Sequence, residues 1–146
     1  MIFQTESSLR LLGWPASDRL IAALAEEFTT QPTIVKLLSV TLAGTGTSGK
    51  TVGVQNRIGS LSETYWVNLH LSPNGRSVAF VKAPNGRNDI WLAPLNNARM
   101  GPARKITNNS DSSFFFSSLA WSPDGKTVYY DKQTRWNLLT MIENLN

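Results

Sequence analysis

Two matching decapeptides fifty residues apart constrain this chain more than any other feature. Leu71-Ser72-Pro73-Asn74-Gly75-Arg76-Ser77-Val78-Ala79-Phe80 and Trp121-Ser122-Pro123-Asp124-Gly125-Lys126-Thr127-Val128-Tyr129-Tyr130 correspond position by position, with an offset of 121 − 71 = 50. In each, Pro presets a turn, Asn or Asp tolerates a left-handed backbone, and Gly supplies positive φ. A β-branched, aromatic strand follows. Hairpin chemistry repeated at this spacing suits a four-stranded antiparallel unit. A degraded third copy, Trp14-Pro15-Ala16-Ser17-Asp18-Arg19-Leu20-Ile21-Ala22, lies 71 − 14 = 57 residues before the middle one. The tails agree as well: Arg87-Asn88-Asp89-Ile90-Trp91-Leu92 parallels Arg135-Trp136-Asn137-Leu138-Leu139-Thr140, and more loosely Pro32-Thr33-Ile34-Val35-Lys36-Leu37. Each unit is therefore expected to run strand, turn, strand, polar loop, strand. A further short strand is expected near 50–54 and 103–107.

One segment conflicts with this pattern. Residues 17–28, SDRLIAALAEEF, offer an N-cap, helix formers, and apolar residues at Leu20, Leu24 and Phe28. Local propensity and period predict a helix there. The repeat makes 19–24 a strand instead, and the repeat is followed here because packing context overrides propensity.

Composition supports one packed body. Of 146 residues 41% are hydrophobic, and five Trp, six Phe and three Tyr give large faces to bury, which excludes a disordered tail. The absence of Cys excludes disulfides and thiolate metal sites. A single histidine, His70, argues against a His-rich zinc site or a His-dependent triad; a packed or channel-facing role is expected for it. Fourteen Lys and Arg against ten Asp and Glu leave a net charge of +4, yet the basic residues stand singly apart from Arg104-Lys105. Without a basic run or helix face, nucleic acid is not an expected partner. The chain has no charged start followed by an apolar core and no run of eighteen apolar residues, so no signal peptide, membrane segment or compartment is assigned.

The segments 71–80 with 88–92, and 121–130 with 137–140, resemble the blade repeat of TolB-like β-propellers, a WD40-like repeat architecture shared with tricorn-type and prolyl-oligopeptidase-type propellers. The resemblance is strong over about 65–143 and weaker back to Leu9; the first copy lacks Pro-Asp-Gly. It implies an all-β fold of four-stranded antiparallel blades packed face to face. About three blades are expected, near 9–54, 65–107 and 114–143, in a single domain spanning 1–146. Trp14, Leu71 and Trp121 would then pack between blades. Periplasmic or extracytoplasmic relatives are implied in the same way.

Closed propellers usually have four to eight blades. Three open blades would leave two apolar faces and two strand edges uncovered. Residues 1–5 read as an orphan outer strand, and the last blade has three strands. The expectation is a six-bladed ring made by two copies, each 1–5 strand completing the partner's last blade, or else part of a longer propeller.

Other motifs compete. Gly44-Thr45-Gly46-Thr47-Ser48-Gly49-Lys50-Thr51 fits the phosphate-binding pattern G-x-x-x-x-G-K-[ST], in which amides cradle phosphates, Lys50 reaches the β/γ oxygens and Thr51 holds Mg²⁺. Such a loop must open a helix, whereas Val52-Gly53-Val54 favours a strand, so a hairpin loop is preferred and no cofactor is expected. No G-x-S-x-G elbow or suitably spaced carboxylate pair appears. Asn108-Asn109-Ser110 matches a glycosylation acceptor, a pattern common by chance. Phe114-Phe115-Phe116 alternates across a strand and is expected in the core, with both faces packed.

In the resembled fold, partners meet the mouth of the channel. Mapped onto this chain, the mouth comprises loops at 55–64 and 108–113, with 25–32, 82–88 and 131–135. Arg57, Lys82, Arg87, Lys132 and Arg135 would make it basic, which suits an anionic or acidic protein partner; the alternative is that they are ordinary solubilising loop charges. The expected function is non-catalytic recognition. The alternatives are an accessory or sensor propeller of a peptidase or Ser/Thr kinase and, less favoured, a nucleotide binder through 44–51.

Overall fold

A computed structural model describes residues 8–25, 33–43, 51–96, 99–110, 113–134 and 138–144. The described chain is all-β, with no α-helix among the described residues. The strands are β1 (Ser8–Ala16), β2 (Arg19–Ala25), β3 (Thr33–Ala43), β4 (Thr51–Leu71), β5 (Ser77–Lys82), β6 (Asp89–Asn96), β7 (Arg99–Met100), β8 (Arg104–Lys105), β9 (Phe115–Trp121), β10 (Thr127–Gln133) and β11 (Leu138–Asn144). A 3₁₀ turn at Pro84–Gly86 joins β5 to β6. Every pairing is antiparallel. One sheet runs β1-β2-β3-β4-β5-β6-β7 with β8 added on β6, and the other runs β11-β10-β9.

The first sheet divides at β4. Its first part pairs with β3 from Ala43↔Thr51 to Thr33↔Thr64. Its last residues pair with β5 from Leu69↔Phe80 to Leu71↔Val78, after a register break that follows Thr64. Glu63 sits at the break with φ of 52°, a left-handed conformation that non-glycine residues seldom adopt. Three units result: β1–β3 with the start of β4, the end of β4 with β5, β6 and β8, and β9–β11. Neither sheet closes on itself among the described strands.

The two repeated decapeptides form the same turn, bond for bond. Ser72 Oγ donates to Asn74 Oδ1 at 2.8 Å, and Ser122 Oγ donates to Asp124 Oδ1 at 2.6 Å. The amides of Arg76 and Lys126 donate to those same oxygens at 3.0 and 3.1 Å. Ser77 N and Thr127 N each donate to the serine hydroxyl at 2.9 Å. Gly75 and Gly125 take φ of 67° and 70° and donate their amides to the carbonyls of Ser72 and Ser122. The Ser122 hydroxyl, then the Lys126 amide, hold the Asp124 carboxyl below its ordinary pKa. Thus serine supplies an acceptor for the returning strand, and the Asx side chain braces the turn.

Alternation along β5 joins the units. Val78 and Phe80 enter one core cluster with Ile21, Ala23, Val35 and Leu37 of the first unit. Ala79 and Val81 enter a second cluster with Phe116, Leu119, Val128 and Tyr130 of the third. The middle unit is therefore buried on both faces, the arrangement of stacked sheets. The contacts recur in register. Leu71 lies against Gly13, where a β-carbon would stand 2.8 Å from Leu71 Cδ2. One unit later, Trp121 packs on the second cluster and its Nε1 donates to the His70 carbonyl at 3.1 Å.

His70 is half-buried at this second contact. Burial, and then the charge of Arg10, lower its pKa below the ordinary 6.5. The folded state thus favours neutral imidazole. His70 contributes no pH-dependent loss above 6.5, and stability declines as pH falls through 6.5 toward the depressed folded value. The denaturant midpoint should fall between about pH 7 and pH 5.5, and His70→Gln should flatten that fall. An unchanged slope in the variant would remove His70 from this role.

Arg19–Ala25 is a strand, as the repeat predicts, and the helix favoured by local propensity is not formed there. The structure corrects other expectations. The ungapped alignment of the first copy is one residue out. It sets Ile21 beside Val78, whereas pairing makes Ile21↔Gly13 the counterpart of Ala79↔His70. The first hairpin turns through Ser17 and Asp18 between Ala16 and Arg19, a shorter turn than Pro73–Arg76. A one-residue slip reverses every side chain, so only the shorter turn keeps Ile21 and Ala23 toward the middle unit. Segment 55–64 is paired strand, not a loop, because the outer strand expected at 50–54 continues along β3. Phe116 is core, but Phe115 is 40% exposed, so the outer face of its sheet is uncovered. Residues 1–5 lie outside the described residues.

Candidate functional site

The repeated turns stack at one end of the units. A β-carbon on Gly75 would stand 2.3 Å from Pro15 Cβ, and one on Gly125 would stand 3.5 Å from the Asn74 amide nitrogen. The β5–β6 connection and the end of β10 at Gln133 lie at the opposite end, where two equivalent clefts open between units. The first, of about 260 Å³, is lined by Phe80, Lys82 and Trp91 against Ser60–Ser62 and Met100. The second, of about 300 Å³, is lined by Tyr130, Lys132 and Phe116 against 106–109. The repeat offset relates them, since 80 + 50 = 130 and 82 + 50 = 132. Each has an aromatic floor and a lysine at its edge.

The two lysines differ in setting. Lys82 Nζ lies 3.6 Å from Glu63 Oε2 and 5.4 Å from the centre of the Trp91 ring, so its charge is locally answered. Lys132 Nζ lies 4.0 Å above the centre of Phe114, a cation held on an aromatic face at the lip of its cleft. The wall opposite Lys132 is moored by Asp89, which is 4% exposed. Asp89 Oδ1 accepts from Thr107 Oγ1 at 2.9 Å and from the Asn109 amide at 2.7 Å, and Lys105 Nζ lies 3.4 Å from Oδ2. Thr107 Oγ1 also accepts the Ile90 amide at 2.9 Å. Asn109, 5% exposed, donates through Nδ2 to the Asn88 carbonyl at 3.2 Å. Its Oδ1 has no hydrogen-bond partner among the described residues. Asn109 is thus a buried part of the wall, and the charge this cleft presents at its lip is Lys132.

Of the residues picked from sequence, Lys82, Arg87 and Lys132 belong to this end. Arg87 is exposed just after the 3₁₀ turn, its amide donating to the Pro84 carbonyl at 3.4 Å. Arg57 is exposed within β4, paired with Leu38, and stands away from the clefts. Arg135 lies outside the described residues. Asp89 was not singled out, although an acid beginning the apolar run DIWL was the available signal. Arg19 and Arg76 were also missed; with Asn74 and Asn96 they line a cleft of about 210 Å³ at the turn end. The alignment of the first copy with the middle one places Arg19 and Arg76 at one repeat position, but only the stacking of the turns sets them in one cleft.

Segment 44–50 lies outside the described residues. The strands flanking it are paired, Ala43 with Thr51, and Thr51 opens β4, so no helix begins where a phosphate-binding loop requires one. Among the described residues no three His, Cys, Asp or Glu side chains group as metal ligands. No helix is long and apolar enough to cross a membrane among them either. No family model matches the chain, and no curated protein matches it.

Proposed function

We propose that this chain is a non-catalytic recognition module of the β-propeller type, a TolB-like half-ring, which takes an acidic partner at the end carrying Lys82, Arg87 and Lys132. The observation that carries this reading is the recurrence of one inter-unit contact. Leu71 lies on Gly13, Trp121 lies on His70, and the Phe80–Lys82 cleft returns as the Tyr130–Lys132 cleft. Units that repeat their packing in register suit a rotational array with its ligand surface at one end. The net charge of +4 and the lysine above Phe114 favour an anionic or acidic partner.

Titration with a fluorescent poly-glutamate peptide at low salt tests this reading. Binding should weaken with added salt, and Lys132→Ala together with Arg87→Ala should lower affinity about tenfold, roughly 1.4 kcal/mol. Arg76→Ala, at the turn end, should leave affinity unchanged. Absence of binding, or a loss confined to Arg76→Ala, would overturn the assignment. Turnover in hydrolase assays that a single substitution abolishes would overturn the non-catalytic reading.

A further inference from the structure

The six exposed large hydrophobics among the described residues all lie on the two outermost sheet faces. Leu9, Leu11, Trp14 and Ile34 are 67%, 54%, 53% and 53% exposed, and Phe115 and Tyr129 are 40% and 41% exposed. Pairing fixes their faces. Leu11 opposes Ala22 while Gly13 opposes the inward Ile21, so Leu11 and Trp14 point away from the middle unit. Ile34 alternates with the inward Val35. Tyr129 opposes Ala120 and alternates with the inward Val128 and Tyr130.

These faces are the two halves of a contact the molecule already makes twice. Leu71, paired with Val78, meets the Gly13↔Ile21 pair, and Trp121, paired with Val128, meets the His70↔Ala79 pair. Continuing the same step, the next contact would set Trp14 against an Ala120↔Tyr129 pair. Ala120 is exposed, and its small side chain stands where Gly13 and His70 stand in the other two contacts. Exposed apolar faces of this kind are ordinarily covered.

We infer that the outer face of the first unit packs on the outer face of the third unit in a second copy of this chain, with Trp14 seated on the partner's Ala120 and Tyr129. The occupant is a second copy because the missing surface is the one this chain itself displays at its other end. Such a head-to-tail contact closes into a ring only if the rotation suits. Closure at two copies rests on the propeller reading, whereas the face-to-face contact rests on the repeated packing alone.

Sedimentation of the full chain, with Trp14→Arg and Tyr129→Glu, tests the inference. The native chain should sediment as a dimer, twice 16.1 kDa. Each variant should be a monomer with an unchanged β-sheet circular dichroism spectrum. Mixing the two variants should restore a dimer, since one native contact re-forms and the other gains an opposite-charge pair. A native monomer, or a dimer that survives both substitutions, would overturn the inference. Open-ended oligomers abolished by either substitution would support the contact and overturn the two-copy ring. Peptide binding retained by the monomeric variants would leave the recognition reading standing if the interface fails.

Discussion

Phe80→Ala should destabilise the chain by about 3–5 kcal/mol, measured as a shift of the urea midpoint at unchanged slope. Phe80 is 1% exposed and belongs to the cluster joining the middle unit to the first. Deleting the ring removes its transfer free energy and leaves a cavity between two sheets whose backbones are held by their own ladders. Domains are stable by roughly 5–15 kcal/mol in total, so this single change takes a large share. A loss below about 1 kcal/mol would show that the units do not stack through Phe80. A transition that split in two would show that they unfold separately.

Gly75→Ala and Gly125→Ala should differ although the two turns are bonded alike. Both glycines have positive φ, and a side chain there costs about 1 kcal/mol. A β-carbon at Gly125 finds its nearest neighbour at 3.5 Å, so little is added. At Gly75 it would stand 2.3 Å from Pro15 Cβ and 3.3 Å from Pro15 Cα, both part of the first unit. Turn and strand must move apart, which adds about 1–3 kcal/mol of overpacking strain. The expected losses are about 1 kcal/mol for Gly125→Ala and about 2–4 kcal/mol for Gly75→Ala. Equal losses would mean that the turns do not stack as described.

The strands and turns were legible because their causes are local. Ser-Pro-Asx-Gly followed by a β-branched run dictates a hairpin wherever it occurs, and both copies make the same five bonds. The first copy shows where local reading fails. Arg19–Ala25 has the composition of a helix, yet it lies as a strand between β1 and β3, hydrogen-bonded on both sides. Its register was misjudged by one residue because turn length is set by the pairing of Ala16 with Arg19, and no motif marks that pairing. The proposed basic surface was legible in part. Lys82 and Lys132 stand at one repeat position, but Arg57 was assigned to a loop that pairing turned into strand. Asp89 was overlooked because its partners, Thr107 and Asn109, are 18 and 20 residues away.

By itself the sequence determined the repeat, its hairpin turns, the all-β character and the two lysines fifty residues apart. Backbone preferences of Pro, Gly and Asx, with two-residue alternation, act within a few residues and need no tertiary partner. Only the tertiary structure decided which face of each strand is buried, how β4 passes from one unit to the next, and which apolar faces stay open. Those outcomes depend on register and on long-range packing, where a shift of one residue exchanges core for surface. The fifty-residue repeat therefore specifies a unit, and the stacking of units leaves Trp14 and Tyr129 exposed on the two outermost faces.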